Sequence, residues 1–164
     1  SPMKKIFIFI LIFFISSCNS IEFIYKDNSN LANPLYDKTE VINSGADLVF
    51  MSAYIPMFFG KNKNKDFRLL INIKEERTKR SVELNQATSN LRYELRFFYT
   101  LISNKNGCLV YEKEILSYFS ILPKSAGYNY GTDASLEKKY ELAIIDNLNQ
   151  FISFLSEVNF SNCK

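Results

Sequence analysis

The chain has 164 residues, with 20 Lys or Arg against 17 Asp or Glu, a formal net charge of +3, three cysteines and no histidine. That length suits one domain with a real core and not comfortably two. Near-balanced charge leaves only local clusters as a basis for a polyanionic partner, and nothing marks a nucleic-acid ligand. No G-x-S-x-G elbow, phosphate-binding loop or metal-spaced Cys cluster accompanies the missing histidine, so the common signatures of enzymes and metal or cofactor sites are absent.

Ser1 and Pro2 precede a natural-looking start at Met3 and read as an expression remnant. Met3 is followed by Lys4 and Lys5, then by an unbroken run of Ile, Phe and Leu from Ile6 to Ile15, then by Ser16, Ser17 and Cys18. A charged start, a short apolar run and small residues at a cleavage point make residues 1–17 a signal peptide. The run is too short for a membrane span, which takes about 20 apolar residues. Ile15-Ser16-Ser17-Cys18 resembles the bacterial lipobox, which implies a diacylglycerol on the Cys18 thiol, cleavage before it and acylation of the new amine. Two or more acyl chains anchor a domain stably without a spanning helix. Asn19 stands where an Asp would signal inner-membrane retention, which favours the outer membrane.

Cleavage before Cys18 leaves 147 of the 164 residues, and loss of Lys4 and Lys5 leaves 18 basic against 17 acidic side chains, a net +1. Lys26 to Ser44 is rich in Asn, Asp and Ser with little periodicity, so residues 18–44 read as the lipid-bearing Cys and a tether, and 45–164 as the folded domain. Asp47 to Gly60, "DLVFMSAYIPMFFG", is apolar and ambiguous, and Pro56 argues for an edge strand or strand end over a helix interior.

Phe67, Leu69, Ile71 and Ile73 alternate with more polar neighbours, the pattern of a half-buried strand. The clearest strand alternates Leu91, Tyr93, Leu95, Phe97, Tyr99 and Leu101 with Arg92, Glu94, Arg96, Phe98 and Thr100. Ser103 to Gly107 supplies a hairpin turn, and Cys108 to Phe119 a third, less regular strand. Leu136, Tyr140, Ala143, Ile144, Leu148, Phe151, Ile152 and Leu155 then fall on one face of a long helix, which Thr132 or Asp133 can cap. The expectation is an α+β two-layer sandwich: a mainly antiparallel sheet of about four strands covered on one face by the Leu136 to Leu155 helix, with a second, shorter helix left open. The stripe Tyr93, Phe97 and Tyr99 then reads as core before it reads as a lipid groove. Cys108 and Cys163 are left as an exported pair that either bridge or stay as two thiols.

A lipobox, three antiparallel strands with "QATSNLRYELRFFYTLI" as the long one, and "SAGYNYGTDASLEKKYELAIIDNLNQFISFL" leading into a last amphipathic helix resemble the LPS-assembly lipoprotein family, LptE. "NPLY", Asn33 to Tyr36, is similar to a Pro-Leu-Tyr found after the lipid-bearing Cys in many members. The similarity covers about Asp66 to Leu155 through diffuse patterns. The chain departs from the family in having Cys18-Asn19-Ser20 for Cys-Gly-aromatic, and in lacking an amphipathic run between Asp47 and Asp66 for the family's first helix. The resemblance implies a non-enzymatic outer-membrane lipoprotein on the periplasmic side that plugs the LptD β-barrel, helps it assemble and takes part in delivering lipopolysaccharide.

Such a role would rest on binding. Lipid A phosphates pair with Arg and Lys. The basic loops "KEERTKR", with Lys74, Arg77, Lys79 and Arg80, and the region of Lys124, Lys138 and Lys139 would converge at one sheet end if the three strands form a meander. The resemblance assigns lipopolysaccharide contact to Arg77, Lys79 and Arg80 and, loosely, to Lys138 or Lys139. At any single residue the same run reads first as a solvated loop, with Glu75 and Glu76 compensating its charge. Phe98 and Arg96, on the polar face of the long strand, are candidate contacts to a barrel wall. Two other classes remain: an adaptor lipoprotein of another envelope complex, and a periplasmic hydrolase, for which no spacing offers paired carboxylates.

Overall fold

The computed structural model describes residues 33–46, 49–81, 89–121 and 130–163, and the signal peptide and Cys18 lie outside them. In chain order the elements are β1 (Thr39–Gly45), α1 (Val49–Phe59), β2 (Phe67–Ser81), β3 (Ser89–Ser103), β4 (Leu109–Ile121) and α2 (Tyr130–Phe154), closed by a 3-10 turn at Leu155–Glu157. The sheet runs β1-β2-β3-β4. β1 lies parallel to β2, with Val41 beside Leu69, whereas β2–β3 and β3–β4 are antiparallel. This is the expected α+β architecture, with both helices on one sheet face.

Alternation places Leu69, Ile71 and Ile73 of β2, Leu95, Phe97, Tyr99 and Leu101 of β3 and Ile115 of β4 in the core. They meet Tyr140, Ile144, Leu148, Phe151 and Ile152 of α2, which recur at the helical period. Burying side chains of this size stabilises by roughly 1.5–3 kcal/mol each, so this one stripe fixes α2 on the sheet. The expected caps Thr132 and Asp133 fall inside the helix, which starts at Tyr130.

Three expectations change. The tether is shorter than 18–44, because Thr39–Gly45 is a strand. Gly45 ends that strand at φ +93°, where a Cβ would lie 2.1 Å from the Ile73 carbonyl oxygen. Only glycine allows β1 to press so closely on β2.

Second, Asp47 to Gly60 holds a helix and not an edge strand, and Pro56 sits inside it. Met51, Tyr54, Ile55, Phe58 and Phe59 are its inward residues, at i, i+3, i+4, i+7 and i+8. Burial of this stripe outweighs the roughly 3 kcal/mol that an interior proline costs a helix. A helix therefore lies between β1 and β2, where no amphipathic run was expected. Asn33 to Asp37 wraps its C-terminal end: Asn33 Nδ2 donates to the Phe58 carbonyl at 2.6 Å, and the Asp37 N–H to the Phe59 carbonyl at 2.9 Å. Carbonyls that a helix end would leave orphaned are thus satisfied.

Third, "KEERTKR" is strand and not loop, since β2 runs on to Ser81 in unbroken pairing with β3, Arg77 opposite Tyr93 and Arg80 opposite Asn90. Backbone pairing is indifferent to side-chain charge, and the alternating apolar run of β3 is long enough to template it.

Candidate functional site

Two regions carry the candidate residues. The first is the sheet face away from the helices. Arg96 stands near its centre, donates to Glu94 on its own strand at 2.9 Å and forms an ion pair with Glu114 on β4 at 3.1 Å. Its guanidinium is held above its ordinary range chiefly by the hydrogen bond to Glu94. Phe98, two residues on, is half-buried, with the Lys74 ammonium 5.3 Å from its ring centroid. Tyr118, 49 % exposed, lies under the Arg92 guanidinium at 4.4 Å. Ile42 and Leu116 are also exposed. Among the described residues no element covers this face. Apolar and aromatic patches fenced by shared charges make a surface suited to a partner, with its polar groups already paired.

The second region is the sheet end where β2 stops and β4 leads to α2. The meander puts Ser81 opposite Ser89 and Leu91 opposite Ile121, so both connections leave from that end, as the sequence suggested. The connections themselves, with Lys124, lie outside the described residues. Among the basic candidates here, Arg77, Lys138 and Lys139 each have a partner within the chain. Arg77 pairs with Glu75 at 2.5 Å and stacks its guanidinium 5.3 Å from the Tyr93 ring. Its pKa is raised first by the Glu75 hydrogen bond. Glu75 also accepts from the Tyr140 hydroxyl, whose ionisation is pushed up first by burial and then by that bond. Lys138 pairs with Glu141 at 3.1 Å, and Glu141 also accepts from the Tyr54 hydroxyl of α1. The Lys139 ammonium donates to the Ser120 carbonyl at 2.6 Å, fastening α2 to the end of β4.

Arg77, Lys79 and Arg80 share strand β2, on which alternation sets positions 77 and 80 on opposite faces. Around Arg77 the described side chains that converge are Glu75, Tyr93 and Tyr140, with Phe119 stacked on Tyr93 at 4.9 Å. The Arg77 and Lys138 side chains are 62 % and 59 % exposed, so their present pairs are worth about 0–1 kcal/mol and a competing phosphate could displace them.

At the opposite end Cys108 and Cys163 form a disulfide with Cα atoms 5.4 Å apart. It holds the C-terminal tail across the bottom of the core, where Phe160 meets Phe67 edge to face at 5.6 Å. Among the described residues no group of Cys, Asp or Glu could hold a metal. The sequence reading missed Asn147, a fully buried amide on α2 that bonds Tyr99, Ser117 and the Ile115 carbonyl. Its signal was present: it lies three residues after Ile144 and four before Phe151, on the apolar stripe.

No family model and no curated protein matches the sequence. Solved structures do resemble the fold. A proposed lipoprotein of Caulobacter crescentus CB15 superposes with a TM-score of 0.56 at 16 % identity, over 74 % of this chain and 89 % of that one. A minor lipoprotein of Acinetobacter baumannii gives 0.49 at 15 % identity, over 74 % and 92 %. The rare lipoprotein B of Shewanella oneidensis gives 0.47 at 14 %, over 73 % and 96 %. At such identities a likeness concerns the fold alone, and the Caulobacter protein is the one of these three with which that fold is shared.

Proposed function

We propose that this is a non-enzymatic lipoprotein, anchored at Cys18 to the periplasmic side of the outer membrane, whose open sheet face docks on a larger envelope partner. The uncovered face of β2 to β4, with Phe98, Leu116 and Tyr118 exposed or half-exposed among shared ion pairs, carries this reading. The lipobox-like Ile15-Ser16-Ser17-Cys18 and a fold shared with a proposed lipoprotein support the anchor. The resemblance to the LPS-assembly lipoproteins points to the partner: the LptD-type translocon barrel, which the protein would plug and help to assemble while lipopolysaccharide is delivered to the surface.

Pull-down from detergent-solubilised outer membrane tests it. A large, heat-modifiable β-barrel should come with the wild-type chain. Recovery of another envelope complex without a barrel would replace the translocon role with that of an adaptor, a second reading favoured by the internal pairing of Arg77, Lys138 and Lys139.

A further inference from the structure

We infer that the outer face of α1, together with the lysines that follow it, lies on an anionic bilayer surface when the free chain is held by lipid at Cys18. This rests on the lipid-anchor reading and adds an orientation to it.

The segment Val49–Phe59 has no charged residue. Its inward stripe is accounted for by the core, yet its outward stripe, Ser52, Ala53, Pro56 and Met57, is exposed and almost wholly apolar, with Met57 at 53 %. A surface helix of a soluble domain ordinarily carries charge on that side. A helix that is apolar all round yet lies in an outer layer needs a second apolar phase against it.

The surroundings identify that phase. Lys61, Lys63 and Lys65 follow directly in "GKNKNKD", all exposed. Lys63 pairs with Asp37 at 3.7 Å and Lys65 with Glu40 at 3.1 Å, while the Lys61 backbone N–H donates to Asp37. Those ion pairs are exposed and weak, so lipid phosphates can take their place. An apolar stripe at the acyl boundary with lysines reaching headgroups is the arrangement of interfacial helices.

The attachment point agrees. The chain enters the described fold at Asn33, which bonds the last turn of α1. Fourteen residues lie between Cys18 and Asn33, so the two are at most about 50 Å apart even with the link fully extended. Lipid at Cys18 therefore keeps the C-terminal end of α1 within about 50 Å of the leaflet. The sheet lies between α1 and the open face, so bilayer contact through α1 leaves Phe98 and Tyr118 free for a partner.

The chain contains no tryptophan, so Met57→Trp provides a single indole at an exposed site, and Ala53→Trp is a second choice on the same stripe. The lipidated full chain would be reconstituted into phosphatidylethanolamine–phosphatidylglycerol vesicles with and without dibrominated acyl chains. We expect a blue-shifted emission that loses intensity in the brominated vesicles, no such loss for Tyr118→Trp, and weaker quenching when Lys61, Lys63 and Lys65 are changed to Gln. Protein that floats with the vesicles while the indole at position 57 stays unquenched overturns the inference alone, and a protein partner for α1 would then be the alternative. Equal quenching at 57 and 118 overturns it too. Failure to float overturns the anchor reading along with it.

Discussion

The Tyr99 hydroxyl donates to Asn147 Oδ1 at 2.6 Å inside the core, while the Tyr99 ring stacks on Phe151 at 4.0 Å between centroids. Asn147 Nδ2 in turn donates to Ser117 Oγ at 2.9 Å and to the Ile115 carbonyl at 3.2 Å. One amide thus ties α2 to β3 and β4 at once. Sliding the helix by a turn would bury these groups unpaired, so the network fixes the register that apolar packing alone leaves loose.

Asn147→Ala should therefore destabilise by about 2–4 kcal/mol, because three buried polar groups lose their partner. Tyr99→Phe should cost about 1–2 kcal/mol. Urea unfolding of the single and double variants should show a double loss smaller than the sum. Strict additivity would mean the two groups do not act as a unit.

Alkali should unfold the protein. Burial raises Tyr99 well above 10.0, and burial followed by the Glu141 hydrogen bond pushes Tyr54 up to about 12. Tyr140 is raised in the same direction by burial. Above pH 10 the unfolded tyrosines lose protons that the folded ones keep, so stability that is complete below that pH falls as pH rises. Midpoints measured from pH 8 to pH 11 should decline on the alkaline side, and less so in Tyr99→Phe. A flat profile would contradict the burial of these hydroxyls.

The disulfide between Cys108 and Cys163 closes a loop with a sequence separation of 55. Chain-entropy reasoning puts its contribution at about 4 kcal/mol. Cys108→Ser should lower the unfolding midpoint accordingly and leave the Phe160 tail open to carboxypeptidase. Free thiols found by mass spectrometry at both cysteines of the native chain would refute the bridge.

The phosphate-contact role has a separate test. Reversing charges at Arg77 would set a carboxylate beside Glu75 and disturb the strand, so Gln is the better substitute. Arg77→Gln combined with Lys79→Gln and Lys138→Gln should weaken binding to purified lipopolysaccharide at low salt, with the difference shrinking at high salt as screening takes over. Unchanged binding at low salt would remove these residues from lipopolysaccharide recognition and leave the docking role standing.

Much of the fold was legible because β3 and α2 declare their periods: Leu91 to Leu101 alternates strictly, and Leu136 to Leu155 repeats at 3.6. α1 was hidden by Ala53, Pro56 and Met57, outward residues as apolar as the inward ones, so no contrast marked its faces. β1 was hidden by polarity, as its pairing is made by the β2 backbone and by a glycine and not by an apolar run. The basic run misled in the opposite way, since its charges read as a loop while β3 held it as strand. At the candidate site Arg96 and Phe98 were placed correctly on the polar face. The partners of Arg77, Lys138 and Lys139 depend on contacts distant in sequence or on side-chain geometry that periodicity does not encode.

The central claim is that the open sheet face is the docking surface. Photo-crosslinking in intact cells, with the reactive side chain placed in turn at Phe98, Tyr118 and the exposed Ser153 on α2, tests it most directly. The account predicts a discrete adduct with one large β-barrel protein from Phe98 and Tyr118, and none from Ser153. Absence of any adduct from both open-face positions, in cells where the protein is lipidated and folded, would contradict it.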